Sequence, residues 1–334
     1  MHELTTVADD LAVIHEGTIS HRYEGLDPDT AYSFFGLDVH TLPRPPGPLL
    51  CRFATVNDVH FGEVVAGQID DDPRGPVFTV APGEQPYPEM MNDAAAREMQ
   101  SIEPSAVIVK GDLTRDGEPG EYDAFLRCYG RFGDRLFHVR GNHDAYHAQT
   151  YASDDQVIDL PGVRIALLDT TIPGETTGQI TPDQLTWLDD LAASSDRPVV
   201  VMGHHQPWMP GGAPSDDYFG IHPTGSIGLI DVMARRAVFA AYAAGHTHRH
   251  RVRRTPATGE RPFIEVGTVK DFPGTWAEYR VYEGGILQVV HRMSDLAALA
   301  WSERCRHLFA DYGFDYQTYA LGALSDRCFV IDTH

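Results

Sequence analysis

One recurrence constrains this chain more than any other feature: a short apolar run that stops abruptly at a cluster of Gly, Asn, Asp or His. LLCRFATV (49–56) runs into NDVH (57–60), AVIVK (106–110) into GDLTRDG (111–117), and RLFHV (135–139) into GNHD (141–144). PVVVM (198–202) and AVFAAYA (237–243) run into GHHQP (203–207) and GHTH (245–248). Such runs, bounded by turn residues, read as buried strands. With a sixth candidate, VRIALLD (163–169), they alternate with helical patterns near 89–102, 119–131, 182–194 and 227–236. That alternation is the signature of an α/β domain. Thr181, Pro182 and Gln184 supply an N-cap, a first-position proline and a capping-box partner for the third helix.

In open α/β sheets ligands bind beyond the carboxyl ends of the strands, so five strand ends could converge on one crevice. Each cluster alone is ordinary turn chemistry. Together they bring Asp58 with His60, and His246 with His248, each pair two residues apart, which near-extended backbone would place on one side. Asp112, Asn142 and His204 add a carboxylate, an amide and a further imidazole. A donor set of nitrogen and oxygen without sulfur suits Mn, Fe, Co or Zn and is too nitrogen-rich for a dedicated Ca or Mg cage. Seven ligands exceed one tetrahedral ion and suit two ions that share a carboxylate. The formal charge of −22 repels polyanions, so no nucleic-acid polymer is expected as a partner, and part of that charge is read as holding cations.

The order D-x-H, GD, GNHD, GH, GH-x-H resembles the calcineurin-like metallophosphoesterase superfamily, over roughly residues 50–290. The resemblance implies an α/β fold, the four-layer α/β/β/α sandwich. It implies that Asp58, His60, Asp112 and His248 bind one metal and that Asp112, Asn142, His204 and His246 bind the other, with Asp112 bridging. His143 would be the unliganded catalytic histidine and Asp144 would orient it. In GHHQP either histidine could ligate; His204, directly after the glycine, is favoured, and His205 is left to line the pocket. Two such metals, from Mn, Fe, Zn or Co, support phosphoester hydrolysis by attack of a metal-bound hydroxide.

Asp112 is followed by Leu113, Thr114 and Arg115, without the tyrosine of purple acid phosphatases, and GDLTRDG and GNHD differ from the motifs of Ser/Thr protein phosphatases. The segment 163–191, with its strand ending in LD, glycine-bearing loop and LTWL helix, resembles the class III cyclic nucleotide phosphodiesterase and glycerophosphodiesterase-like branch. A phosphodiesterase of small diesters such as cyclic nucleotides is therefore expected. The alternatives are a phosphomonoesterase of the same fold and a non-catalytic scaffold.

Around this domain (49–292) the sequence reads as a small β appendage with a Pro-rich linker (1–48) and a helical C-terminal extension (293–334). The aromatics of that extension could cover the pocket or form a homo-oligomer interface, and residues 66–88 read as a surface insertion. Trp208, Tyr218, Phe219 and His222 are candidates for an active-site wall, and Arg249, the first arginine after GHTH, for a phosphate contact. Arg249 to Arg254 reads as a period-two strand, DQVIDL as a solvated face, and His15 among other histidines as solvated. The cysteines Cys51, Cys128, Cys305 and Cys328 form no CxxC pair and are expected reduced. No apolar run approaches a membrane span, and MHELTTVADD lacks the basic and apolar regions of a secretory signal, so a cytoplasmic location without a membrane partner is expected.

Overall fold

Segments apolar on both faces can only be central strands, and the computed structural model, which describes residues 2–69, 72–210 and 219–333, uses them so. One six-stranded sheet has the order Leu136–Val139, Val107–Lys110, Leu49–Val56, Thr275–Tyr282, Gly285–Arg292, Cys328–Ile331. Its first three strands are parallel and the rest antiparallel. The other has the order Gln156–Leu160, Val163–Leu168, Val199–Gly203, Phe239–Ala244, Phe263–Glu265, Arg251–Arg253, parallel except at its two edges.

Alternation along each strand divides the core into layers. Ile108 packs with Phe53, Tyr279, Ile165 and Val200 between the sheets. Its neighbours Val107 and Val109 face Met91, Phe125 and Trp301 of the helices Tyr87–Ser101, Pro119–Tyr129 and Leu296–Cys305. On the far side Leu168 and Val201 meet Leu188 and Leu229 of the helices Pro182–Ser194 and Pro223–Arg235. The result is the expected four-layer sandwich. The capping box forms as read: Gln184 N donates to Thr181 Oγ1 (3.2 Å) and Thr181 N to Gln184 Oε1 (2.9 Å).

Three local readings are corrected. Residues 156–160, inside the supposed solvated face DQVIDL, form an edge strand whose Ile158 and Leu160 are buried while Val157 and Asp159 are exposed. The C-terminal extension is not only helical: after the short helices Tyr316–Leu321 and Leu324–Arg327, Cys328–Ile331 adds a strand beside Gly285–Arg292, too short a run to signal itself. His15 is buried, its ring nitrogens 2.8 Å from Thr5 Oγ1 and 3.2 Å from the Met293 carbonyl, because the N-terminal strands pack on the domain.

Those strands, Glu3–Val7, Leu11–Glu16 and Ile19–Glu24, form an antiparallel sheet whose Val7, Leu11 and Ile14 pack on Leu287, Val289 and Cys328. A charged network crosses the same joint. Arg280 donates to Asp9 and Asp10 (2.7 Å each) and to Glu278 (3.0 Å), and His291 Nε2 lies 2.8 Å from Glu278. Burial alone would raise the Glu278 carboxyl, but the His291 hydrogen bond and Arg280 outweigh it and hold it at about 2, against an ordinary 4.5. A depressed folded value stabilises fully above the unfolded value and loses that stabilisation as pH falls through the folded one. Glu278→Gln is therefore expected to cost about 3 kcal/mol at neutral pH. In urea denaturation the gap between the two proteins should shrink from pH 4.5 down towards 2. A gap of constant size across that range would show that the carboxylate charge is not its source. Among the described residues no helix is long and apolar enough to cross a membrane, and all four cysteines are buried and free.

Candidate metal centre

The parallel strands of both sheets end at one edge of the sandwich, and backbone hydrogen bonds stitch the loops beyond them together. His60 N donates to the Asp112 carbonyl (2.9 Å) and Gly245 N to that of His204 (2.9 Å). His143 N donates to Asp112 Oδ1 (3.0 Å) and His246 N to Asp58 Oδ1 (3.0 Å). Every one of the seven expected ligands is brought to this edge.

The way they are aimed differs from the near-extended spacing the sequence suggested. Asp58, His60, Asp112, His246 and His248 all have left-handed backbone, with φ of 53°, 45°, 50°, 66° and 55°. Extended alternation would send side chains to the faces of a sheet, whereas these turns send them off its edge. Such conformations are costly for non-glycine residues and mark functional sites when the surroundings enforce them. Close approach also needs glycine: a Cβ at Gly141 would stand 2.3 Å from Asp112 Oδ1, and one at Gly111 2.5 Å from His204 Nδ1.

The donors fall into two groups that share Asp112. Its Oδ2 lies 3.3 Å from His60 Nε2, and its Oδ1 lies 3.3 Å from His204 Nε2. On the first side His248 Nε2 is 3.6 Å from Asp58 Oδ1. On the second, Asn142 Oδ1 is 3.1 Å from His204 Nε2, and the His246 ring lies 5.0 Å from that of His204. Two outward nitrogens have acceptors of their own, His204 Nδ1 the Lys110 carbonyl (2.9 Å) and His246 Nε2 that of Phe219 (3.0 Å), while His60 Nδ1 lies 3.2 Å from Glu63 without a well-formed hydrogen bond. That division, one nitrogen anchored and the other facing the centre, is how metal-ligating histidines are held.

Protonation follows from burial. Burial pushes His60 down to about 4 and His246 to about 3, and carries His248 well below the ordinary imidazole value, so all three present neutral lone pairs. Burial likewise raises Asp58 to about 6. His204 goes the other way: burial would lower it, but Asp112 outweighs that and lifts it to about 9. Asp112 is held well below the carboxylate range by His204 and His143 against its burial. A cation held beside Asp112 by His204 would occupy the position of a His204 proton, as ligand sites release protons on binding metal. His60 supplies the fit test. Both its nitrogens are buried, and neither makes a well-formed hydrogen bond with the protein. Residues, burial and charge all fit a pair of cations.

His143 borders the first group, its ring 4.5 Å from that of His60. Its Nδ1 faces the Arg115 carbonyl oxygen at 2.7 Å, so that carbonyl does the orienting that the family resemblance gave to Asp144. Asp144 is turned elsewhere, because four donors of two loops enclose it. Its carboxylate accepts from Leu113 N (2.9 Å), Thr114 N (2.8 Å), Thr114 Oγ1 (2.6 Å) and Gly141 N (2.7 Å), binding the GD loop to the GNHD loop.

His205 is fully buried beside His204 and His246, close enough to join a three-imidazole group. Both its nitrogens are taken, by Thr170 Oγ1 (2.8 Å) and the Thr176 carbonyl (3.2 Å), so His204 is the better ligand. His222 is exposed at the start of the helix Pro223–Arg235, and its Nε2 lies 3.5 Å from Thr177 Oγ1. Phe219 does wall the site, its ring 4.9 Å from His246; Tyr218 lies outside the described residues. Arg249 turns to the buried Glu265 (2.8 Å), which Arg253 also approaches (3.2 Å). The strand begins only at Arg251, because the turn carrying the histidines continues through Arg249.

Sequence reading missed Glu63, Lys110 and Lys270. Lys110 is fully buried and donates to Asn57 Oδ1 (2.9 Å), and Asn57 in turn donates to Asp58. A lysine closing an otherwise apolar strand was its only signal. A cleft of about 520 Å³ opens beside the first group, lined by His60, Arg115, His143, His248, Lys270 and Phe309 among others.

The sequence model of the Calcineurin-like phosphoesterase family matches residues 51–250. The chain is 27% identical over 158 residues to a probable cyclic nucleotide phosphodiesterase of Synechococcus, covering 44% of this chain and 58% of that protein. It is 28% identical over 167 residues to a 3',5'-cyclic adenosine monophosphate phosphodiesterase of Pseudomonas aeruginosa, covering 48% and 60%. It is 30% identical over 127 residues to a glycerophosphodiester phosphodiesterase of Enterobacter lignolyticus, covering 34% and 46%. The matches thus span less than two thirds of each of these relatives. A solved dimetal phosphatase from Danio rerio shares the fold, with a TM-score of 0.55 at 16% identity over 74% of this chain and 98% of that one.

Proposed function

The chain belongs to the calcineurin-like phosphoesterase family, and from that premise we propose that it hydrolyses small phosphodiesters such as cyclic nucleotides, using two ions from among Mn, Fe, Zn and Co. One observation carries the reading: two groups of buried nitrogen and oxygen donors share Asp112, with His143, its Nδ1 turned to the Arg115 carbonyl, standing beside His60 at their edge.

Asp58, His60, Asp112 and His248 would hold one ion, and Asp112, Asn142, His204 and His246 the other. Two such ions supply charge neutralisation of phosphate oxygens and an activated water for in-line displacement. The chain does the rest. His143, its Nδ1 proton given to the Arg115 carbonyl, keeps Nε2 free to hold a proton for the leaving oxygen. The cleft lies on the His143 side, so the departing alcohol leaves into it, and about 520 Å³ lies within the range of small-molecule sites. Asn57 and Lys110 brace Asp58 from below, which keeps its carboxylate aimed. Supporting the diester reading over the monoester one are the relatives named above, whose own names are those of diesterases. Against a scaffold stands the full set of ligands, none replaced by an inert residue.

The test is reconstitution of metal-stripped protein with Mn, Fe, Zn or Co in turn, each followed by a bis-aryl phosphodiester, an aryl monoester and a cyclic nucleotide side by side. Diester hydrolysis well above monoester hydrolysis is expected. A strong monoester preference would sink the diester assignment, and no turnover with any of the four metals would sink the enzyme reading.

A further inference from the structure

The helix Tyr316–Leu321 lies outside every motif that marks the metal centre, yet it reaches both histidine arms of the first ion's site. Tyr316 is buried and its hydroxyl donates to Asp271 Oδ1 (2.8 Å). Asp271 Oδ2 is 3.1 Å from Lys270 Nζ, which donates to Glu63 Oε1 (2.9 Å). The other Glu63 oxygen stands 3.2 Å from His60 Nδ1. These links join residues from three distant parts of the chain into one line ending on a ligand. The next turn of the helix makes a second approach. Tyr319 donates to the carbonyl of Thr247, the residue between His246 and His248, at 2.9 Å. His250 N donates to the Ala320 carbonyl (3.0 Å), and Arg249 stacks over the Tyr319 ring at 5.0 Å.

We propose that this helix is a positioning element of the metal centre, orienting His60 through Asp271, Lys270 and Glu63, and the turn carrying His248 through Tyr319 and Ala320. It thereby governs affinity for the ion held by Asp58, His60 and His248. The inference rests on the two-ion reading of the site. Its physical basis is that an imidazole binding a cation through Nε2 needs an acceptor for its Nδ1 proton, and Glu63 is the acceptor at hand. Lys270, placed between two carboxylates, holds Glu63 in that position. Partners of this kind are worth about 10- to 100-fold in metal affinity.

The experiment is a chelator-competition titration of the full chain with Mn²⁺ and with Zn²⁺, reading two dissociation constants, with a thermal melt of the metal-free protein alongside. Glu63→Gln should weaken one ion by about 10- to 100-fold and leave the other unchanged. Tyr316→Phe and Tyr319→Phe keep the ring packing and remove only hydroxyls, and each should weaken the same ion by about fivefold. Wild-type constants for both ions in all three variants, whatever the melting temperature does, would overturn the inference. So would equal weakening of both ions, since that is the mark of general loosening. A wild-type protein that binds fewer than two ions would remove the two-ion reading itself, and the inference with it.

Discussion

Replacing His143 by alanine is expected to lower turnover by about 10²- to 10⁴-fold while metal content and melting temperature stay at wild-type values. The expectation follows from what His143 does and does not touch. Its Nδ1 is committed to the Arg115 carbonyl, and its backbone N–H, which alanine keeps, donates to Asp112. On the proposed reading, losing the ring removes a proton carrier without removing a ligand. The size of the loss should depend on the substrate: an alkyl ester, whose alkoxide must be protonated as it departs, should lose far more than an ester of an acidic phenol. A uniform loss across leaving groups would assign His143 to the phosphate rather than to the departing oxygen. Loss of an ion would make it a ligand.

A second large effect is expected from one methyl group. The Cβ of Gly141→Ala would stand 2.3 Å from Asp112 Oδ1, 2.4 Å from Asp112 N and 2.8 Å from His204 Nε2. Asp112 is the shared carboxylate, and its own backbone is one of the obstructing groups, so no flexible side chain can swing clear. Displacement of catalytic groups by about 1 Å can cost about 100-fold. Turnover should fall by at least about that factor, and elemental analysis should show fewer than two ions per chain. Gly120→Ala, on the helix Pro119–Tyr129 with nothing within 4 Å of the added carbon, should be silent and serves as the control. Two retained ions with normal turnover in Gly141→Ala would show that the GNHD loop can yield.

Much of this centre was legible in the sequence because strand-end chemistry is local. Apolar runs announce the strands, and the residues immediately after Val56, Lys110, Val139, Gly203 and Ala244 are the ones that meet. The means of meeting was not legible. Spacing suggested extended backbone for Asp58 with His60, while the structure uses left-handed turns, which no pattern of types in NDVH or GHTH discloses. Supporting residues were hidden for a different reason. Glu63 and Lys270 are 207 positions apart and become partners only once the sandwich has closed. The family resemblance gave Asp144 the task of orienting His143, whereas the tight GNHD turn sends the Asp144 carboxylate to the backbone N–H groups of Leu113 and Thr114 and His143 Nδ1 to the carbonyl of Arg115 in the same loop. Edge strands escaped notice where half their residues are polar, as in 156–160.

The pairing of Cys328–Ile331 with Gly285–Arg292 has a bearing on how the protein is made. All seven donor residues precede position 249 in the chain, whereas this strand and the helix Tyr316–Leu321 before it come roughly 70 to 80 residues later. At about 5–20 residues per second, the ribosome exposes a complete set of donors several seconds before the segment that braces them exists. The nascent chain thus passes through an interval in which the seven candidate donors are exposed without the helix Tyr316–Leu321 and the strand Cys328–Ile331 that come later in the chain.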